Sequence, residues 1–207
     1  MMGAIYSPRL YTGLMRLLGA DAGMEVFVRQ FLRPEPGDRI LDMGCGPGRL
    51  VPHVAAARYC GIDKNGRSIA RARLRFPAVR FLHMDVCAEH PEFEDYDFDV
   101  AVACGVLHHL PDSQASRMFE FCHERLRSAG RLITLDCVLE EGQHPISKLL
   151  VSIDRGRFAR NGAAYLRLAA DRFPGAVLTL RHDLLQVPYS HAILECVKPC
   201  ERPCVKP

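Results

Sequence analysis

The 207-residue sequence has no apolar run that could span a bilayer: runs such as Val100-Ala101-Val102-Ala103-Cys104 stop at five residues, where a membrane helix needs about 20. The opening residues, Met1-Met2-Gly3-Ala4-Ile5-Tyr6-Ser7-Pro8, lack the basic segment and apolar stretch of a secretory signal. There is no even set of cysteines, and nine in a chain this long are not a disulfide framework. Cys45, Cys60, Cys104 and Cys137 fall in or beside predicted strands, where free cysteine behaves as a small hydrophobe. A reducing, cytoplasmic setting is expected. Neither a C-x-x-C pair nor a matching histidine pair occurs, so no metal site is expected. The net charge of +3 comes from scattered residues without a dense basic run, which argues against nucleic acid as the main partner.

What is there is ordinary globular material, 48% apolar and 25% charged, enough for one cored domain. Ser7-Pro8 reads as a helix start, followed by Leu10, Leu14, Leu17 and Leu18 on one stripe up to Gly19. Asp21 is placed to cap a second helix with Val26, Phe27 and Phe31 inward, ending before Arg33-Pro34. Strand and helix signals then alternate. Strands are predicted at 39–43, 59–63, 79–85, 98–104 and 131–136, and a helix at 68–76. A longer helix, capped by Asp112, has Ala115, Met118, Phe119, Cys122 and Leu126 on one face and Gly130 past its end. This pattern predicts an α/β, doubly wound, mostly parallel sheet with its ligand beyond the carboxyl ends of the strands. A weakly periodic segment at 137–160 precedes a helix at 161–173 and closing strands at 177–182 and 192–196. From Cys196 a four-residue unit repeats three times with proline at its end, which excludes helix and ladder and predicts an extended tail. The expected organisation is N-terminal helices over the site (1–36), the α/β domain (37–196) with a lid at 137–160, and a Cys/Pro-rich tail (197–207).

The most informative stretch is ILDMGCGPGRL at 40–50, a buried strand running straight into Gly44, Gly46 and Gly48. Missing side chains let a ligand approach the backbone and let the chain turn sharply. The dinucleotide fingerprint G-x-G-x-x-G/A is not met, because Arg49 stands at its third position. Asp42, two residues before the first glycine, would repel a pyrophosphate but suits an ammonium. Asp63 and Asp85 end the next two strands, where carboxylates can accept from ribose hydroxyls and from an adenine amino group. Each aspartate alone reads equally as a helix cap. Three acids at successive strand ends beside a glycine loop favour a nucleoside that carries a cation.

With those residues in place, 40–136 resembles the class I S-adenosylmethionine-dependent methyltransferases, through ILDMGCGPG, GIDKN, HMDV, DFDVAVACGVLHHLPD and ERLRSAGRLITLD. Ser128-Ala129-Gly130 replaces the family's usual Pro-Gly-Gly before the fifth strand. The resemblance implies a seven-stranded Rossmann-like sheet with one antiparallel strand and S-adenosylmethionine as cofactor, released as S-adenosylhomocysteine. It also implies that Asp42, Gly44, Cys45, Gly46 and Gly48 meet its methionine and ribose, and that Asp63 holds the ribose. Lys64 or Asn65 would flank the adenine, Asp85 and Val86 would meet its edge, and Cys104 would lie beneath the sulfonium. Tyr6 and Tyr11 either close over the cofactor or belong to the core.

Methyl transfer needs alignment and an exposed nucleophile, sometimes with a general base. His108, His109 and Asp136, at the ends of the fourth and fifth strands, are the candidate bases; the histidines read more readily as packing or a cofactor lid, and Asp136 alternatively as a loop cap. Arg155 and Arg157, in Asp154-Arg155-Gly156-Arg157-Phe158-Ala159-Arg160, are placed to bind a carboxylate or phosphate, or form a solvated loop. His182, Tyr189 and His191 add polar groups near the final strands. The expected substrate is a small molecule, methylated at a hydroxyl or other nucleophile on an anionic intermediate, by a monomer or homodimer. An RNA or other nucleic-acid methyltransferase is the alternative enzyme, disfavoured because Ala103-Cys104-Gly105-Val106 replaces N/D-P-P-Y/F. A non-catalytic cofactor-binding subunit is the alternative outside catalysis.

Overall fold

The computed structural model describes residues 13, 17–54, 58–85, 87, 97–153 and 156–200. Strand β1 (Ile40–Met43) is buried at every position, as a strand covered on both faces must be, so Asp42 is carried into the interior by its apolar neighbours. It pairs in parallel with β2 (Tyr59–Asp63) on one side and β4 (Phe98–Cys104) on the other. With β3 (Arg80–His83), β5 (Leu126–Cys137), β6 (Val177–Arg181) and β7 (His191–Val197), the seven-stranded order is β3-β2-β1-β4-β5-β7-β6. Only β7 runs antiparallel to its neighbours. This is the Rossmann-like sheet that the motif pattern implies. No described helix is long and apolar enough to cross a membrane.

Helices cover the two faces. Helix α1 (Ala20–Phe27), the π turn after it (Val28–Leu32) and α2 (Gly66–Arg75) bury Phe27, Phe31, Leu32, Ile69 and Ala72 against one face. Helices α3 (Asp112–Arg125) and α5 (Gly162–Ala170) bury Met118, Phe119, Tyr165 and Ala169 against the other. Helix α4 (Pro145–Ile153) lies inside the segment read as weakly periodic and contributes Leu150 and Val151 to a small third cluster with Cys137, Leu185 and Tyr189.

Several local expectations change. Gly19, in the left-handed region, stands at the N-cap of α1, so Asp21 sits in the first turn and does not cap. Likewise Pro111 occupies the N-cap of α3, and the Asp112 carboxylate turns to the Arg160 guanidinium, 2.6 Å away. Helix α3 ends at Arg125, five residues before Gly130, because the chain passes directly into β5 with a register shift against β4. The irregular step includes Ala129 at φ 59°. Strand β7 takes in Cys196 and Val197, the start of the repeated tail. Of the first predicted helix, up to Gly19, only residues 13 and 17–19 are described, and Tyr6, Tyr11, Val86 and Arg155 lie outside the described residues.

Candidate active site

The strand order reverses direction between β1 and β4, and a crevice beyond their carboxyl ends follows from that switch. The loop after β1 holds Gly44, Gly46 and Gly48 at φ 71°, 55° and 76°. Two of these glycines are required for different reasons. A Cβ on Gly44 would come within 2.7 Å of Val106 Cγ2, whereas one on Gly46 would meet nothing within 4 Å. The first lets the loop pack on the chain after β4; the second leaves its backbone open to a ligand. Asp63 steadies this loop, its Oδ2 accepting the Gly46 N–H at 2.8 Å and its Oδ1 the Asn65 N–H at 2.7 Å.

The loop borders a cavity of about 240 Å³. Of the residues singled out from sequence, Asp42, Gly44, Cys45, Gly46, Cys104, His108, Asp136, Tyr189 and His191 line it. Gly48 packs below the loop, where a Cβ would lie 3.1 Å from the Phe76 ring. Asp63, Lys64, Asn65 and Asp85 stand outside the cavity at the tips of β2 and β3, the last three exposed. Asn65 also caps α2, its Oδ1 accepting from the Arg67 and Ser68 amides. His109 and Arg157 are exposed and off the cavity wall. His182 faces a neighbouring cavity, its Nδ1 3.0 Å from the Ser190 hydroxyl.

Asp42 is 4% exposed and accepts a hydrogen bond from the buried Tyr59 hydroxyl. Burial lifts its carboxyl to about 7; the Tyr59 hydrogen bond acts the other way, and the Asp63 charge adds to the rise. A ligand ammonium at Asp42 would favour the ionised form, so binding below pH 7 must expel a proton. We expect S-adenosylhomocysteine to bind about tenfold more weakly at pH 6 than at pH 8. Calorimetry in buffers of different ionisation enthalpy would show the released proton; flat affinity and no proton release would remove Asp42 from the ligand's reach. For the empty protein, the folded pKa lies above the unfolded value of 3.8. This group's stabilisation is therefore complete below that value and is lost as pH rises through about 7.

Across the cavity, His108 and Asp136 form a buried pair, 3% and 2% exposed. Asp136 Oδ1 lies 2.7 Å from His108 Nδ1 and accepts the His108 backbone N–H at 3.2 Å. A carboxylate at Nδ1 selects the tautomer with its proton there and leaves Nε2 basic. The 156–160 segment is clamped over this ring. A Cβ at Gly156 would fall 2.1 Å from His108 Cδ2, and the Phe158 amide donates to the His108 carbonyl at 2.9 Å. Arg160 anchors the segment. Its guanidinium, in a residue 9% exposed, donates to the carbonyls of Leu107 (2.8 Å), Leu110 (2.6 Å) and Phe158 (2.8 Å) and to Asp112. Arg160 is therefore structural, and neither it nor Arg157 lines the cavity.

Sequence reasoning passed over Arg49, Gly105, Leu184 and Leu185, which also line the cavity. Arg49 was legible as a cation directly after the last glycine of the loop. Leu184 and Leu185 come from the β6–β7 connection and carry no local signal.

Residues 40–130 match the family model described as a methyltransferase domain. An uncharacterized methyltransferase of Synechocystis sp. is 25% identical over 135 residues, covering 62% of this chain and 63% of that protein. The 27-O-demethylrifamycin SV methyltransferase of Amycolatopsis mediterranei is 34% identical over 117 residues, 50% of this chain and 40% of that one. The chain spans less than two thirds of the length of either relative. Among solved structures, magnesium protoporphyrin IX methyltransferase of Synechocystis, with S-adenosylhomocysteine bound, aligns at TM-score 0.63 and 19% identity over 96% of this chain and 90% of that one. That likeness is one of fold. The match over residues 40–130 is to a methyltransferase domain and the shared fold is that of such enzymes, so the cofactor to test against the site is S-adenosylmethionine.

The residues present fit that cofactor. Its methionine end bears an ammonium and a carboxylate, and the cavity wall offers Asp42 to the first and Arg49 to the second. Among the described residues the Arg49 guanidinium pairs with Asp21 in a long, exposed contact at 3.5 Å, which a carboxylate can displace. The open backbone at Gly46 suits a close approach. Asp63 and Asp85 stand at the adjoining strand tips.

Proposed function

We propose that the protein transfers a methyl group from S-adenosylmethionine to a hydroxyl or other nucleophilic group of a small-molecule acceptor. The observation that carries this reading is one cavity that joins the glycine loop and Asp42 on one wall to the His108–Asp136 pair on another. When bound, the cofactor supplies an electrophilic methyl carbon on a sulfonium. The protein's part is alignment, exclusion of water and custody of a proton. Asp42 and Arg49 hold the amino-acid end, and Asp63 supports both the loop and the ribose. His108 Nε2 would take the proton that the acceptor hydroxyl gives up on methylation. Asp136 holds the ring in the competent tautomer and stabilises the resulting imidazolium. Gly156 and Phe158 shield that ring from bulk water.

An anionic acceptor was expected from Arg155 and Arg157. Arg157 is exposed and off the cavity, so any charge it reads belongs to the part of the acceptor at the rim, away from the reacting group. Calorimetry with S-adenosylhomocysteine, NAD and ATP is the direct test. Micromolar binding of the first with none of the others is expected; retention of NAD or ATP in its place would end this reading.

A further inference from the structure

Among the buried polar atoms at the cavity that have no hydrogen-bond partner among the described residues are Asp136 Oδ2 and His191 Nδ1. Such atoms are costly to bury and rare in folded proteins, so each calls for an explanation. Both residues line the cavity. Cross-strand pairing sets Asp136 opposite Ala192 and Cys137 opposite His191, so the two side chains leave the sheet by opposite faces and meet the cavity from different sides. His191 is half-buried as a residue, and its ring stands 4.8 Å from that of Tyr189. Burial pushes its imidazole down to about 4, so the ring is neutral at pH 7 and can give or accept one hydrogen bond at Nδ1. Asp136 already uses Oδ1 for His108, which leaves a carboxylate oxygen that can only accept. The neighbouring wall is apolar, from Leu135, Leu184 and Leu185.

We propose that Asp136 Oδ2 and His191 Nδ1 form the polar end of the acceptor site, and that it takes a hydroxyl group on a small apolar body and rejects a carboxylate. The acceptor must bring a donor for Asp136, and a second carboxylate there would face the first across a short, poorly hydrated gap. His191 orients the hydroxyl without itself carrying charge. This assignment rests on the acceptor pocket read above and sharpens it: the hydroxyl held here is a second one beside the reacting hydroxyl, whose proton passes to His108 Nε2, and this end of the acceptor is neutral.

The test uses catechol and benzoate as probes of similar size, titrated into the full chain at pH 7 with and without S-adenosylhomocysteine. Long-range ¹H–¹⁵N spectra read the imidazoles, and His191→Asn identifies the His191 signals. Catechol should shift the His191 nitrogen resonances and bind at least fivefold more tightly than benzoate. His191→Leu should weaken catechol about tenfold, and His191→Asn, which keeps a polar atom near the Nδ1 position, should restore most of it. Equal binding of the two probes, silent His191 resonances, no binding of either, or an unchanged affinity in His191→Leu would each overturn the proposal. If S-adenosylhomocysteine fails to bind while the catechol results hold, the methyltransferase reading fails and this site stands.

Discussion

Arg160→Leu should lower stability by about 4 kcal/mol, because it strips charged donors from the buried carbonyls of Leu107 and Leu110 without giving them others. For a chain of this size that is a fall of roughly 10 °C in Tm. Asp112→Ala separates the two explanations for such a loss. The Asp112 side chain is 80% exposed, so deleting that ion pair should cost less than about 1 kcal/mol. Arg160→Lys should fall between them, since one ammonium cannot fork to three carbonyls in different directions. Thermal unfolding of the three variants decides the matter. Were Asp112→Ala as damaging as Arg160→Leu, the guanidinium would be holding a surface carboxylate and not the turn that carries His108.

Arg160 also marks where sequence stops being informative. Read in its neighbourhood, it joins Arg157 and Arg155 as a basic cluster suited to an anion. Its real partners lie about 50 positions earlier, in the turn between β4 and α3, and nothing in the local pattern encodes that distance. Tyr59 is a similar case, a strand-opening aromatic whose hydroxyl reaches a carboxylate 17 residues back. By contrast, β4 was legible at 98–104, because a parallel strand buried from Val100 to Ala103 writes its burial as an apolar run, here broken only at Asp99. The glycine loop was legible because positive φ and close packing admit few residues other than glycine. Asp42 stood out for the opposite reason, as a carboxylate in a run where every neighbour is apolar. The errors at Asp21, Asp112 and Gly130 concern helix ends, where a one-residue choice between capping candidates is decided by tertiary partners.

Those tertiary partners set up the second large effect, at Asp136. Its Oδ1 receives both the backbone amide and the ring of His108, so a single atom fixes the position and the tautomer of the proposed base. Asp136→Asn keeps the size and removes the charge. An amide can turn its NH₂ toward Nδ1, which then becomes the acceptor and moves the ring proton to Nε2, the atom meant to receive the acceptor's proton. The imidazolium formed in the reaction also loses its counter-charge. With any acceptor that supports turnover, kcat measured as S-adenosylhomocysteine release should fall by about 10²- to 10⁴-fold. The affinity for S-adenosylhomocysteine should stay within about threefold, because Asp42, Arg49 and the glycine loop remain in place. A loss confined to cofactor affinity would make Asp136 a binding residue. A kcat within about threefold of the parent protein would mean that the acceptor arrives already ionised and that His108 is packing, since general-base assistance of the expected size could not vanish unnoticed.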